Sequence, residues 1–169
     1  MIVRCGDRVV YGIHGVCQVV DIESRMIDRK TVEYYVLQPV GQGDAKFYVP
    51  TQNPTAVAKM RKVLTKAEIN QMLESEEVKA DSWIPNEAIR KETYRQIISR
   101  ADCVELIRMI RALYIHKQEQ LAAGKKFHQC DEAFMRDAER LIRSELVEVL
   151  EIPQEQVADY IRSKVEANQ

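Results

Sequence analysis

The chain has 169 residues, of which 46% are hydrophobic and 30% are charged, so it is too rich in apolar side chains for a disordered protein and is long enough for one domain or two small ones. Its 25 basic and 26 acidic side chains leave a net charge of -1, which argues against a uniformly basic nucleic-acid coat and requires any DNA contact to be local. No apolar run approaches the roughly 18 residues of a membrane span, and the N-terminus lacks a signal-peptide pattern, so we expect a cytoplasmic protein without membrane contact.

The first part of the chain carries the pattern of a small antiparallel sheet. Short β-branched and aromatic runs alternate with turn residues and predict four strands, at 8–11, 16–22, 32–37 and 47–49, with a fifth short strand at 61–64. Connections of a few residues join antiparallel neighbours, whereas parallel strands need long crossovers. We therefore expect a meander that curls into a small barrel.

Beyond residue 64 the apolar spacing becomes helical. Thr65 and Glu68 form a capping box that predicts a short helix to about residue 73, and the polar stretch 74–81 is typical of a linker. Four further helices are predicted at about 84–99, 102–122, 130–150 and 153–166, with Pro153 in a first helical turn. The predicted fold class is α+β, with a β domain at 1–73, a linker at 74–81 and a helical domain at 82–169.

The search for catalytic chemistry returns no familiar motif. A glycine-rich phosphate loop, HExxH, GxSxG and DxDxDG are all absent from the sequence. Zinc ligands could come from Cys103, His116, His128 and Cys130, but their spacing matches no known finger, and buried thiols with surface histidines explain them better. We predict a protein that is not an enzyme, with no catalytic residue, no metal and no cofactor.

Several sequence runs together resemble a known family. The order GDRVVYGIHGVCQVVDIESRMI, EYYVL and KFYVP is similar to the N-terminal module of the CarD/CdnL bacterial transcription regulators, which transcription-repair coupling factor shares. The runs DSWIPNEAIRKETYRQI, LIRMIRALYIHKQ, GKK and DAERLIRSELVEVL resemble the helical C-terminal domain of CarD. The resemblance extends to about residue 150, and the last helix looks like an extension.

The resemblance implies that a Tudor-like N-terminal domain binds the β subunit of RNA polymerase. The matching position is Arg25, at the end of the second strand, with Ile27 in the same segment and Tyr48 as a further contact. A guanidinium at a strand edge can bind a carboxylate bidentately while the exposed backbone pairs with a partner strand. The alternatives are that Arg25 is an ordinary exposed arginine and that Tyr48 packs the barrel.

The resemblance also implies that the helical domain meets promoter DNA at the upstream edge of the melted region. Trp83 stands where the family inserts a tryptophan into the minor groove, and an indole is a suitable wedge for a distorted base step. From its chemistry alone, Trp83 could equally cap the apolar face of the helices or pack between the domains. The nearest cations for phosphate contacts are Arg90, Lys91, Lys125 and Lys126, with Arg108 and Arg111 as weaker candidates.

Two functions therefore compete. The first is a monomeric regulator that binds polymerase and stabilises the open promoter complex through Trp83. The second is a protein-interaction module that never touches DNA, and the 12 basic and 12 acidic side chains of residues 80–150 favour it. The sequence does not indicate which promoters respond, whether the effect is activation or repression, or what the last helix does.

Overall fold

The computed structural model describes residues 2–166 and divides into two compact units, 1–63 and 64–169. The first unit is a β-sheet and the second is helical, so the predicted α+β class is confirmed. Residues 167–169 of the predicted helical domain lie outside the described residues.

The first unit contains a five-stranded antiparallel sheet with the strand order β4-β3-β2-β1-β5. Its buried face carries small and branched apolar side chains from the central strands, among them Val9, Val19, Leu37 and Val49. All five predicted strands are present. Their bounds are β1 Arg8–Tyr11, β2 Val16–Ile27, β3 Lys30–Pro39, β4 Phe47–Pro50 and β5 Met60–Lys62.

Strands β2 and β3 are longer than predicted because they continue into a tight hairpin. Asp28 and Arg29 both adopt positive φ, 50° and 64°, as the two central residues of the turn. Such a turn matches the twist of paired strands. Residues 22–27 lack a buried face that would have marked them as strand, and their pairing with β3 depends on the turn.

The sheet is open, so the prediction that it curls into a barrel is wrong. Among the described residues, β4 pairs with β3 alone and β5 pairs with β1 alone. The chain between β4 and β5 forms a short helix, α1 (Pro54–Val57), which is capped by Asn53 and lies against β4. With edge strands of four and three residues, the sheet ends in two separate edges.

The second unit is a helical assembly built on two long helices. Its elements are α2 Lys66–Leu73, α3 Glu76–Lys79, α4 Glu87–Arg100, α5 Cys103–Ala122, α6 Gln129–Leu150 and α7 Val157–Glu166. The α6 sequence carries an apolar stripe at helical spacing, and its members Ala138, Leu141, Ile142 and Leu146 are buried as core. Within the described range, none of the helices is both long enough and apolar enough to cross a membrane.

Helix starts follow the predicted caps, with one difference. The Thr65 hydroxyl accepts from the Glu68 N–H at 3.2 Å, and the Glu68 carboxylate accepts from the Thr65 N–H at 2.7 Å. Asp102 caps α5, its carboxylate accepting from the Glu105 N–H at 3.0 Å. Pro153, however, precedes a single 3-10 turn at Gln154–Gln156, and α7 begins only at Val157.

Helix α2 lies in the helical unit rather than with the sheet. The Leu64 N–H donates to the buried Glu145 carboxylate of α6 at 3.0 Å, and the Tyr160 hydroxyl of α7 donates to Asn70 of α2. The unit boundary thus falls between residues 63 and 64, ahead of the capping box. The domain prediction had placed this boundary at residue 73. Helix α3 occupies part of the predicted linker, started by the Ser75 side chain.

Candidate functional site

The β2–β3 hairpin forms a two-stranded ribbon that extends beyond the rest of the sheet. β1 pairs with β2 at Arg8–Val10, and β4 pairs with β3 from Tyr34 onward. Beyond those pairings, no other strand of the described residues pairs with the outer edges of the ribbon. The ribbon also exposes large apolar side chains, with Met26 78% and Ile27 45% accessible. An exposed, apolar strand edge is a surface on which a partner strand can pair.

Arg25 and Tyr48 meet on one face of this ribbon. The guanidinium carbon of Arg25 lies 4.2 Å from the Tyr48 ring centroid, across the intervening strand β3. Ile27 shares the face with Arg25 because side chains alternate along a strand. Tyr48 is 40% exposed, so it does not pack the buried side of the sheet. The structure therefore brings the three predicted polymerase-binding residues together.

Glu23 completes this surface. Arg25 donates from Nε and Nη2 to one Glu23 oxygen at 3.2 and 3.0 Å. Hydrogen bonding to Glu23, and then to Tyr48, raises the pKa of Arg25 above its usual value. The guanidinium is held in place before any partner binds. Less side-chain entropy is therefore lost on binding.

Trp83 lies in the irregular segment between α3 and α4. Its backbone N–H donates to the Asp81 carboxylate at 3.1 Å, and the residue is partly buried. The indole stacks on the imidazole of His116, with ring centroids 3.7 Å apart and planes 18° from parallel. The Arg90 guanidinium carbon lies 4.7 Å from the same indole. Trp83 thus rests on two polar, planar groups at the edge of the helical unit.

The segment 79–83 is fastened along one face of α5. Arg111 donates to the Lys79 carbonyl, and the Ser82 hydroxyl donates to the Arg108 carbonyl at 3.2 Å. His116, one to two turns further along α5, supplies the third contact through its ring stack on Trp83. Of the two weaker DNA candidates, Arg111 therefore holds this segment with its guanidinium, whereas Arg108 holds it only through its backbone carbonyl.

Arg90 is buried, and a phosphate contact does not fit its position. The residue is 5% exposed, and its Nε and Nη2 groups donate to the two carboxylate oxygens of Asp131 at 3.0 Å each. Its Nη1 group donates to the Ile84 carbonyl at 3.1 Å. A fully desolvated, bidentate pair holds its partners in one geometry. Arg90 therefore links α4 to α6 and lies against the Trp83 ring.

The other predicted cations are more accessible. Lys91 is 32% exposed and pairs with Glu87 at 2.6 Å, which raises the pKa of Lys91 above its usual value, first through the hydrogen bond. Lys125 and Lys126 are exposed in the loop between α5 and α6. In the described part of the chain, neither has a carboxylate within ion-pair distance.

Sequence reasoning missed the groups that surround Trp83. His116 was weighed only as a metal ligand, and Asp131 was not singled out. Phe127, 6.3 Å from the His116 ring, and Lys117, 5.6 Å from the Phe127 ring, extend the cluster. No spacing rule joins residues 33 or 41 positions apart in the chain, so helix packing alone brings them together. Among residues 2–166, no three His, Cys, Asp or Glu side chains form a potential metal site.

A comparison with known protein families matches the part of the chain that forms the β-sheet unit. The family model of the CarD-like/TRCF RID domain matches residues 4–64. Residues 4–64 form a CarD-like/TRCF RID domain. The match ends where the helical unit begins, and it includes the whole RID surface defined here by Glu23, Arg25, Ile27 and Tyr48. The matched domain supports a protein that interacts with the transcription machinery.

Proposed function

We propose that the RID domain docks on the β subunit of RNA polymerase and that the helical unit presents Trp83 to promoter DNA. In this proposal Trp83 enters the minor groove at the upstream edge of the melted region and stabilises the open complex. The proposal depends on one observation. The Trp83 indole lies on the His116 imidazole and the Arg90 guanidinium, in a chain whose first unit is a RID domain.

The polymerase contact is supported by the chemistry of the RID surface. Arg25 is exposed over 48% of its side chain, although it is already oriented by Glu23. A carboxylate on the partner can compete for that guanidinium, while Ile27 and Tyr48 supply apolar and aromatic contact area. The free ribbon edge offers backbone hydrogen bonds for a partner strand. The resulting interface is small, so we expect moderate affinity.

The DNA contact is supported by what Trp83 packs against. A tryptophan that served the core would be surrounded by aliphatic side chains, whereas this indole lies on an imidazole and a guanidinium. Large apolar side chains open the minor groove by entering between base steps. Lys125 and Lys126, free of carboxylate partners in the described chain, are the best-placed candidates for phosphate contacts.

A second function is favoured by the charge balance of residues 80–150, with 12 basic and 12 acidic side chains. A helical unit with no net charge gains little non-specific affinity for DNA. In this alternative the unit binds another protein of the transcription machinery, and Trp83 is an interface anchor.

Open-complex lifetime measurements separate the two functions. Trp83→Ala should keep polymerase binding and the thermal melt of the wild type, yet lose the lifetime gained when the protein is added. Tyr114→Ala is the matched control, because Tyr114 is an aromatic residue of the same unit that is 45% exposed. Equal lifetimes for Trp83→Ala and wild type would reject the wedge and favour the protein-interaction function.

The docking half of the proposal has its own test. Arg25→Glu should weaken binding to the isolated β subunit at unchanged circular dichroism, because charge reversal at an exposed arginine replaces attraction by repulsion. Arg4→Glu, an exposed charge reversal in the same domain, should bind like the wild type. If both variants bind equally well, Arg25 is not in the interface.

A further inference from the structure

We propose that His116 is a positioning residue for Trp83, and this inference rests on the proposed function of Trp83 as a DNA wedge. The indole emerges from a segment without regular secondary structure, between α3 and α4. Backbone hydrogen bonding within a helix or sheet therefore does not define its orientation. The orientation must come from the side chains that it touches.

The imidazole is the closest planar group to the indole. The ring centroids of Trp83 and His116 are 3.7 Å apart and nearly parallel, closer than the 4.7 Å between the indole and the Arg90 guanidinium carbon. At this separation the two rings are in face-to-face van der Waals contact. The stack thus selects one orientation of the indole.

His116 is itself held. The Nε2 atoms of His116 and Gln120 are 3.3 Å apart, one turn along the same helix, and the Phe127 ring lies 6.3 Å from the imidazole. α5 is a helix of 20 residues packed against α6, so the imidazole is mounted on a rigid element. Preorganising a group in its bound conformation removes an ordering cost from binding. Loss of the His116 ring should therefore weaken what Trp83 does on DNA without unfolding the unit.

Fluorescence tests the stack in the free protein, since Trp83 is the single tryptophan of the chain. His116→Ala should shift the emission to longer wavelength and increase quenching by acrylamide, and His116→Phe, which keeps a flat ring, should restore the wild-type values. His128→Ala is the matched control, because His128 is an exposed histidine of the same unit. Unchanged emission and quenching in His116→Ala would overturn the inference.

Open-complex lifetimes then test whether the stack matters to function. His116→Ala should shorten the lifetime by about two- to tenfold, the range expected from one aromatic pair, and His116→Phe should recover most of the loss. In a Trp83→Ala background, His116→Ala should have no further effect, because a positioning residue acts through the residue it positions. An equal further loss in that background would assign His116 a direct DNA contact and reject the positioning role.

The two proposals fail in different ways. If Trp83→Ala retains the full lifetime while His116→Ala alters the fluorescence, the stack exists but the proposed function fails and the functional role of His116 fails with it. If Trp83→Ala loses the lifetime while His116→Ala leaves both readouts unchanged, the proposed function stands and the positioning role of His116 is rejected. Thermal melts of every variant show whether an effect arises from unfolding.

Discussion

At the scale of single residues, the helical unit contains a buried ion pair beside Trp83. Arg90 and Asp131 are 5% and 1% exposed and bind each other through two hydrogen bonds. Burying an ion pair costs desolvation energy that its attraction only partly repays. The pair also lies directly beside Trp83, so it links the packing of α4 and α6 to the orientation of the indole.

Removing one partner of this pair should be costly. We predict that Asp131→Ala lowers the free energy of unfolding by about 3–5 kcal/mol, because it leaves the Arg90 guanidinium buried without a counter-charge. Urea denaturation followed by circular dichroism measures the loss. The double variant Arg90→Met, Asp131→Leu removes both charges and should lose less. A single variant as stable as the wild type would contradict a desolvated pair.

Arg29, in the turn between β2 and β3, is a residue whose replacement should stabilise the protein. It holds a φ of 64°, a left-handed conformation that costs a residue with a Cβ roughly 1 kcal/mol or more. We predict that Arg29→Gly raises the free energy of unfolding of the RID domain by up to about 1 kcal/mol. Lys30→Gly, at the start of β3, should instead destabilise the domain. Thermal melts that place Arg29→Gly below the wild type would contradict the assigned turn.

At the scale of elements, capping determines where the helical unit begins. Thr65 and Glu68 exchange two hydrogen bonds at the start of α2. Three residues of α2, Ile69, Met72 and Leu73, are buried in this unit. The cap therefore orders the first helix of a unit that also holds α7.

Removing the cap should destabilise the helical unit modestly. We predict that Thr65→Ala costs about 1 kcal/mol, whereas Thr65→Ser, which keeps an accepting hydroxyl, costs little. Denaturant midpoints of the two variants measure the difference. Equal losses for alanine and serine would mean that the hydroxyl does not cap α2.

The same cap should depend on pH. Hydrogen bonds from the Thr65 backbone, and then its side chain, lower the pKa of Glu68 below its usual value. A lowered pKa in the folded state means that the stabilisation is complete above the unfolded pKa and is lost as the pH falls through the folded pKa. An NMR titration of the Glu68 carboxyl should show the lowered pKa in the wild type and a less lowered pKa in Thr65→Ala, because alanine keeps the backbone donor and loses only the hydroxyl. A wild-type titration at the usual carboxyl pKa would contradict the cap.

At the scale of the whole molecule, the two units have separate cores. The sheet buries its own apolar cluster, including Val9, Cys17, Val19 and Leu37. Burial raises the pKa of the Cys17 thiol to about 11, as expected for a thiol in a dry core. The buried residues of α2 belong instead to the helical unit.

The fragment of residues 1–63 should accordingly fold alone. We predict a dispersed NMR spectrum for it and a thermal melt no lower than that of fragment 1–73, because the added α2 would expose Ile69 and Leu73 without partners. A folded 1–73 fragment beside an unfolded 1–63 fragment would place α2 in the RID domain and contradict the boundary.

The sequence by itself determined the local features of this protein. Strand positions, the α2 capping box and the α6 apolar stripe all follow from alternation, helical spacing and cap chemistry, which act within a few residues. The RID domain was recognisable because its motifs are also local, and Arg25 was singled out through them. Trp83 was singled out through a second local resemblance, that of the run DSWIPNEAIRKETYRQI.

Only the tertiary structure decided the rest. Whether the sheet closes depends on whether the edge strands β4 and β5 pair with each other. The alternation of apolar residues within each strand does not encode that pairing. The stack of Trp83 on His116 and the pairing of Arg90 with Asp131 join residues far apart in the chain. Those contacts arise from how α4, α5 and α6 pack. The predicted phosphate ligand Arg90 is instead buried, paired with Asp131 and in contact with the indole.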